Sequence, residues 1–172
     1  MPSLWPRKYY AGLSRATQRR RAAEIRRRSA KHWRDPAAYR PFQTDKGSAG
    51  RQLKTRTSGY TAAWRARFPA ARSLAEKAAA TGVPERFLRA SYNRGLAAWR
   101  TGHRPGATQQ QWGYARVHSF LLCGKTALTT DSDLRREAIA ASAGARRWFA
   151  GEGCGSAEAR DGRSPNPYIT NQ

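Results

Sequence analysis

The chain has 172 residues and carries 33 Lys and Arg against 11 Asp and Glu, which gives a formal net charge of +22. Because such an excess of positive charge opposes compaction and attracts polyanions, nucleic acid is the leading candidate partner. The sequence argues against a membrane protein and a structural zinc site, since it has no long apolar stretch and its two cysteines lack zinc-binding spacing.

Residues 1–13 are predicted to form an arm, and Ser14 is placed to cap an arginine-rich helix that continues to about Trp33. The narrow apolar face of this helix carries Ala22, Ile25, Ser29 and Trp33. Its remaining surface is predicted to contact phosphates through Arg19, Arg20, Arg21, Arg26, Arg27 and Arg28. A solvated charged face is the alternative, but few acids are interleaved, which favours nucleic acid.

Residues 34–57 show no sustained periodicity and are predicted to be an extended linker. A helix capped by Ser58 follows, and Tyr60, Trp64 and Phe68 lie at helical spacing on one of its faces. Because the chain offers few other large apolar residues, we expect this aromatic stripe to belong to the core rather than to stack on bases.

The segment from Ser73 to about Trp99 has the spacing of a DNA-binding helix-turn-helix motif. Ser73 and Glu76 predict a capping box, Gly82 the stop of the first helix, and Pro84 the start of the second. In this interpretation Val83 and Leu88 are buried, whereas Glu85, Arg86, Arg89 and Asn93 are exposed for DNA contact. Any tight helical corner produces the same pattern.

A basic turn at residues 101–107 precedes a helix that begins near Thr108, with Gln111 at capping-box spacing. Backbone amides at a helix start bind anions, so we predict an anion pocket formed by His103, Arg104, Thr108 and Arg116. The alternative is an ordinary helical corner with solvated basic residues. A phosphodiester-acting enzyme that uses His103, Arg104 and Arg116 is a further alternative.

The helix from Thr108 to about Leu122 is the most apolar of the chain and is predicted to be its buried centre. Its stripe consists of Trp112, Ala115, Ser119 and Leu122, widened by Val117, Phe120 and Leu121. Residues 125–130 are expected to be a short strand or an extended connection, and a last helix runs from Asp133 to about Phe149. Cys123 is interpreted as a small core residue, and a disulfide with Cys154 stays open.

The segment from Thr81 to Gly124 resembles a family of uncharacterised domains from large DNA viruses and tailed phages (DUF5824-like). The shared pattern is TGVP…RG-AA…G-RPG-T…WG-AR…S…G, carried by Gly95, Ala97, Ala98, Gly102, Arg104, Pro105, Gly106, Thr108, Trp112, Gly113, Ala115, Arg116, Ser119 and Gly124. Cys123 stands where the family often has Gly. Because the family has no settled activity, the resemblance implies a viral or phage context rather than a chemistry.

These patterns predict an all-α fold of about five helices around the central Trp-containing helix, with a long basic N-terminal extension and a flexible C-terminal one. We expect residues 1–57 to form the arm, arginine-rich helix and linker, residues 58–149 a helical core domain, and residues 150–172 a tail.

The predicted function is that of a virion-associated structural protein that binds nucleic acid, preferentially DNA, without sequence specificity. Its expected partners are that nucleic acid and other virion proteins, in the virion and in the host cytoplasm during assembly. No enzymatic activity, metal, cofactor, small-molecule substrate or membrane is expected. A helix-turn-helix protein that reads a specific DNA sequence is the main alternative.

Overall fold

The computed structural model of the protein describes residues 5–47 and 49–155. In these two ranges the chain is all-α, with eight α-helices and three short 3₁₀ helices, and the only β pairing is an isolated antiparallel bridge between Lys46 and Gln52. The α-helices are α1 (Arg15–Ser29), α2 (Gly59–Arg67), α3 (Leu74–Thr81), α4 (Glu85–Trp99), α5 (Gln109–Leu121), α6 (Lys125–Leu128), α7 (Ser132–Ala141) and α8 (Ala143–Gly151). The 3₁₀ helices are Arg7–Tyr9, Pro36–Tyr39 and Gln43–Asp45. None of the helices in the described ranges is long and apolar enough to cross a membrane.

Three of the predicted helix starts are confirmed by capping bonds, whereas Ser58 precedes α2 without a side-chain capping bond. The Ser14 hydroxyl accepts from the Thr17 N–H (3.3 Å), and Ser73 exchanges two bonds with Glu76 in a complete capping box. At the start of α5, the Gln111 N–H donates to the Thr108 hydroxyl (3.1 Å) and the Thr108 N–H donates to the Gln111 side chain (2.9 Å). These side chains bond to backbone N–H groups at each helix start that lack partners within the helix.

Helix α1 ends four residues earlier than predicted. A tight turn follows Ser29, in which the Lys31 N–H bonds to the Arg28 carbonyl (3.1 Å). The Asp35 carboxylate then accepts from the Ala37 N–H (2.8 Å) and caps the 3₁₀ helix Pro36–Tyr39. Trp33 consequently lies outside the helix and is 55% exposed, so it does not belong to the buried face.

The predicted last helix is broken in two at Ser142, which has extended backbone angles (φ −145°, ψ 127°). Its hydroxyl accepts from the Ala145 N–H (3.2 Å), which caps α8, and donates to the Gly82 carbonyl (3.0 Å). A serine can terminate one helix and cap the next because its side chain replaces the missing backbone partner. The short helix α6 occupies the segment predicted as a strand or extended connection.

The chain forms two compact units that differ from the predicted division at residues 57 and 149. Unit 1 comprises residues 1–56 and 94–112, and unit 2 comprises residues 57–93 and 113–172. Helices α4 and α5 each contribute residues to both units. The predicted tail at 150–172 includes the end of α8 and Cys154, and residues 156–172 lie outside the described part of the chain.

The core of unit 1 is a small hydrophobic cluster formed by the buried residues Ile25, Phe42 and Trp99. Trp5, Tyr9 and Trp112 pack against it while keeping part of their surface exposed. The predicted extended linker is thus a packed part of unit 1, because Phe42 is fully buried and the neighbouring 3₁₀ helices fix the backbone around it. Trp112 belongs to this cluster and not, as predicted, to the stripe at the centre of α5.

The core of unit 2 is larger and is centred on the second half of α5. Val117, Phe120 and Leu121 are completely buried there, and Trp64 of α2 is 1% exposed. Tyr60 and Phe68 pack against the same cluster, which confirms the predicted aromatic stripe as core. The remaining buried members are Ala63, Ala71, Leu74, Val83, Phe87, Leu88, Leu122, Cys123, Ala127, Leu134, Ala138, Ala145, Phe149 and Cys154.

Cys123 and Cys154 form a disulfide within unit 2, which joins the end of α5 to the residues that follow α8. The sequence left this bond open, since the spacing of two cysteines does not reveal a pair. Cys123 has a φ of +50°, in the left-handed region that favours glycine.

We expect reduction of this disulfide to lower the free energy of unfolding by about 3 to 4 kcal/mol, because it closes a loop of 31 residues. The measurement is urea unfolding with and without reductant. The double variant Cys123→Ala/Cys154→Ala is the control and should not respond to reductant. Detection of two reactive thiols in the unreduced, unfolded chain would contradict the bond.

Candidate nucleic-acid interface

One arginine of the predicted phosphate-binding set is the structural centre of unit 1. Arg21 is completely buried. Its guanidinium donates to the carbonyls of Tyr9 (2.9 Å) and His103 (2.7 Å). It also donates to the Thr44 hydroxyl (3.0 Å) and the Asp45 carboxylate (2.7 Å). Arg21 is therefore unavailable to phosphates, contrary to the prediction.

The Asp45 carboxylate forms hydrogen bonds with three residues, one from α1 and two from the basic turn. Its Oδ1 accepts from Arg21 and from the Gly106 N–H (3.0 Å), and its Oδ2 lies 2.8 Å from His103 Nε2. Burial alone raises the pKa of this carboxyl, but the hydrogen bond and charge of His103, the charge of Arg21 and the Gly106 amide together lower it below its usual value. Asp45 therefore stays ionised and holds the basic turn in place.

His103 is fully buried, and both of its ring nitrogens have partners. Nδ1 lies 2.8 Å from the Trp99 carbonyl, which can only accept, so this nitrogen carries a proton. Nε2 lies 2.8 Å from Asp45 Oδ2. The ring stacks on Trp99 with centroids 4.2 Å apart. A histidine held in this way has no free nitrogen for an anion or for proton transfer to a substrate.

Glu24 fixes the 3₁₀ helix Gln43–Asp45 from the buried side of α1. Its carboxylate accepts from the Gln43 N–H (2.6 Å), the Thr44 N–H (3.1 Å) and the Thr44 hydroxyl (2.6 Å). The Thr44 hydroxyl thereby links Glu24 to Arg21. The sequence patterns predict no role for Glu24 or Asp45. The signal for a structural role is the scarcity of acidic residues in unit 1, where Asp35 is the only other acid.

The other arginines of α1 divide by exposure. Arg28 is half-buried, donates to the carbonyls of Ala37 and Pro41, and lies over the Phe42 ring. It thus holds residues 37–42 in place and is not placed to contact phosphates as predicted. Arg19, Arg20, Arg26 and Arg27 are exposed, together with Arg15.

The inward placement of the acids leaves the outside of unit 1 almost entirely basic. Unit 1 has 19 Lys and Arg against three acids, a formal charge of +16, whereas unit 2 has 14 against eight, a charge of +6. Fourteen of the 19 cations are exposed. Glu24 and Asp45 are buried, and the remaining acid, Asp35, is bonded to Lys31 (3.0 Å).

The helix-turn-helix segment of unit 2 has the predicted burial pattern except at Glu85. Val83 and Leu88 are fully buried, while Arg86, Arg89 and Asn93 are exposed on α4. Gly82 has a φ of +72°, and a Cβ added to it would lie 2.9 Å from the Gly144 Cα, so the turn packs closely on the start of α8. Arg89 forms an ion pair with Glu85, which is half-buried.

The structure shows different local partners for the four residues of the predicted anion pocket. His103 is bonded to Asp45 in unit 1, and Thr108 is used by its capping box. Arg116 lies in unit 2, where its guanidinium binds the buried Asp131 carboxylate through two bonds of 3.0 and 2.6 Å. Arg104 is half-buried in the turn. Two of the four residues, His103 and Arg116, are thus bonded to carboxylates that are distant from them in the sequence.

A shallow groove of about 480 Å³ lies in unit 2 and contains none of the predicted site residues. It is lined by Arg67, Thr81, Gly82, Gly144, Arg147, Trp148, Gly151 and Glu152. Arg67 donates two hydrogen bonds to Glu152 (3.0 and 2.8 Å), which neutralises part of its charge. Residues 5–47 and 49–155 contain no cluster of three or more His, Cys, Asp or Glu able to hold a metal ion.

Two titratable groups are buried together in unit 2. His118 is 4% exposed, lies 3.0 Å from the Thr61 hydroxyl through Nδ1, and stacks on Trp64. Burial, with the charges of Lys77 and Arg65, lowers the pKa of His118 to about 3. Burial also lowers the pKa of Lys77 to about 8. His118 is therefore a neutral core residue at physiological pH.

Replacement of Arg21 and of its neighbour Arg20 should have opposite outcomes. Arg21→Ala leaves the buried Asp45 without its ion-pair partner, and we expect a loss of about 3 to 5 kcal/mol in the free energy of unfolding. Arg20→Ala removes an exposed charge and should change it by less than about 0.5 kcal/mol. Urea unfolding of the two variants is the measurement. Equal stability of both would show that Arg21 is not a structural centre.

Acid should destabilise the protein through His118 well before carboxylates titrate. The pKa of His118 is lower in the folded chain (about 3) than its ordinary value of 6.5, so the unfolded chain binds the proton first and stability falls as pH drops below 6.5. The slope should approach about 1.4 kcal/mol per pH unit between pH 6 and about pH 4. His118→Gln should remove it, whereas the exposed His32→Gln should not.

Comparison with known proteins gives a family and no activity. No curated protein and no solved structure matches the chain. A match to the family of unknown function DUF5824 extends over residues 6–137, which is 132 of 172 residues and includes α1, the buried Arg21–Asp45 pair and the whole of α5. The chain therefore belongs to the DUF5824 family.

Proposed function

We propose that the protein is a virion-associated structural protein that binds nucleic acid through unit 1 without sequence specificity. The observation that carries this proposal is the distribution of charge in unit 1. Its buried acids serve the fold, and its exposed surface offers fourteen cations, of which five lie on α1: Arg15, Arg19, Arg20, Arg26 and Arg27. Positive charge without neighbouring acids is the electrostatic signature of phosphate binding.

The nucleic acid is proposed to be DNA, and the viral setting rests on the resemblance to sequences of large DNA viruses and tailed phages. In that setting the protein acts with other virion proteins, in the host cytoplasm during assembly and then in the particle. The expected observation is the protein in purified particles of its virus at a fixed copy number. Its absence from such particles would remove the virion part of the proposal and leave the binding part standing.

Sequence-specific binding through α3 and α4 is the second candidate. The observation that favours it is the exposure of Arg86, Arg89 and Asn93 beside a buried Val83 and Leu88, which is the arrangement of a recognition helix. Unit 2 carries the smaller charge, and the ion pair between Glu85 and Arg89 reduces the attraction of this helix for phosphates. The salt dependence of binding separates the two candidates.

We expect binding to random duplex DNA to weaken steeply with salt, with a slope of log affinity against log salt of about −0.9 for each phosphate contacted. A variant with Arg19, Arg20, Arg26 and Arg27 all changed to Gln should lose about three to four units of slope. The matched control changes four exposed arginines of unit 2: Arg72, Arg86, Arg89 and Arg136. It should retain most of the wild-type slope.

Loss of binding in the unit 2 variant, with the α1 variant unaffected, would replace the proposal with the helix-turn-helix interpretation. Thermal unfolding of all three proteins checks that the substitutions leave the fold intact, which exposed positions favour.

A further inference from the structure

The exposed arginines and alanines of α1 lie in separate rows along the helix. A high net charge does not by itself require such an arrangement. At 100° per residue, the exposed arginines fall into two rows about 110° apart around the helix axis, with a row of alanines between them. One row contains Arg15, Arg19 and Arg26, the other contains Arg20 and Arg27, and Ala16, Ala23 and Ala30 form the intervening row. All eight residues are exposed.

The opposite side of α1 fixes the direction in which these rows point. Arg21, Glu24 and Ile25 are buried and bonded or packed within unit 1. Rotation of the helix would break the Arg21–Asp45 ion pair and expose Ile25. The two arginine rows and the alanine row are thus held outward by the network that stabilises the unit.

From this arrangement we infer that α1 lies in the major groove of double-stranded B-form DNA, an inference that rests on the nucleic-acid binding proposed above. The major groove is about 12 Å wide and accommodates a helix of about 10 to 12 Å diameter. The alanine methyl groups let the helix backbone approach the groove floor. The two arginine rows then reach the phosphates of the two strands that border the groove.

The same arrangement accounts for the proposed absence of sequence specificity in DNA binding. Ala16, Ala23 and Ala30 carry no side-chain donor or acceptor, so they cannot distinguish base edges except by apolar contact with thymine methyl groups. The arginines flank this row and contact the backbone, which positions the protein without reading sequence.

A protein partner with an acidic surface fits this face less well. Stable protein interfaces are centred on buried aromatic or large aliphatic side chains. Between residues 15 and 30, the exposed residues of α1 and its C-cap are arginines, alanines and Ser29, and none of them has a large apolar side chain. Phosphates on both sides of a groove match two rows of cations, whereas an acidic protein would lack an apolar centre to bury.

The test compares the binding of the full chain to three probes of the same length and sequence: duplex DNA, duplex RNA and single-stranded DNA. The major groove of A-form RNA is deep and narrow and does not admit a helix. We therefore expect duplex DNA to bind at least about tenfold more tightly than duplex RNA at the same salt concentration. A soluble poly-glutamate competitor should displace the duplex DNA only at large excess.

A substitution that preserves every charge gives an independent readout. Ala23→Leu places a larger side chain between the arginine rows and should weaken binding to duplex DNA by about fivefold or more, because it holds the helix away from the groove floor. The slope against salt should stay close to that of the wild type. Ala62→Leu, at an exposed alanine of α2, is the control and should have no effect.

Each other outcome overturns a defined part of the inference. Equal affinity for duplex DNA and duplex RNA, or tighter binding to the single strand, would exclude insertion into the major groove and leave the proposed nucleic-acid binding intact. Binding to none of the three probes would overturn both. Preference for poly-glutamate over DNA would assign the face to an acidic protein.

Discussion

The buried ion pair between Arg21 and Asp45 is the interaction on which unit 1 depends. A guanidinium and a carboxylate lose their hydration when they are buried, and only a full set of hydrogen bonds compensates for that loss. Arg21 obtains its partners from Tyr9, Thr44, Asp45 and the His103 carbonyl. Because these groups belong to separate segments, none of the segments can move away without depriving the buried guanidinium of a hydrogen-bond partner.

The burial of carboxylates in unit 1 also makes its surface more positively charged. Unit 1 contains only three acidic residues, and two of them are used inside it to hold the 3₁₀ helix and the basic turn. An acid that serves the core cannot neutralise a neighbouring surface cation. Burial of these two carboxylates therefore has two effects: it supplies the specific polar contacts inside the unit, and it leaves the surface positively charged. A small aromatic cluster, with Ile25, completes the stabilisation of the unit.

Local sequence signals predicted the local features correctly. The capping boxes at Ser73 and Thr108, the left-handed stop at Gly82 and the aromatic stripe of α2 are all decided by residues within one or two helical turns. The break at Ser142 is not predictable from periodicity because an apolar period continues across it, and the bond by which Ser142 caps α8 is local but weak as a sequence signal.

Features that depend on distant residues were not predictable in this way. Arg21 and Arg20 are adjacent and chemically identical, and only the contact with Asp45, 24 residues away, makes one structural and leaves the other exposed. Arg116 was assigned to an anion pocket because its partner, Asp131, lies on the far side of α6 in the sequence. A single sequence shows residue types and hydrophobic periodicity, but it does not show which charged side chains form ion pairs in the folded protein.

The disulfide has a practical consequence for work with shortened chains. The family match ends at residue 137, but Cys154, the partner of Cys123, lies 17 residues beyond it. A chain cut at the family boundary would lose α8 and keep Cys123 as an unpaired thiol whose covering residues are gone. Such a thiol cross-links copies through intermolecular exchange. Aggregation of the shortened protein under oxidising conditions would then report the missing cysteine rather than an intrinsic tendency of the domain to assemble.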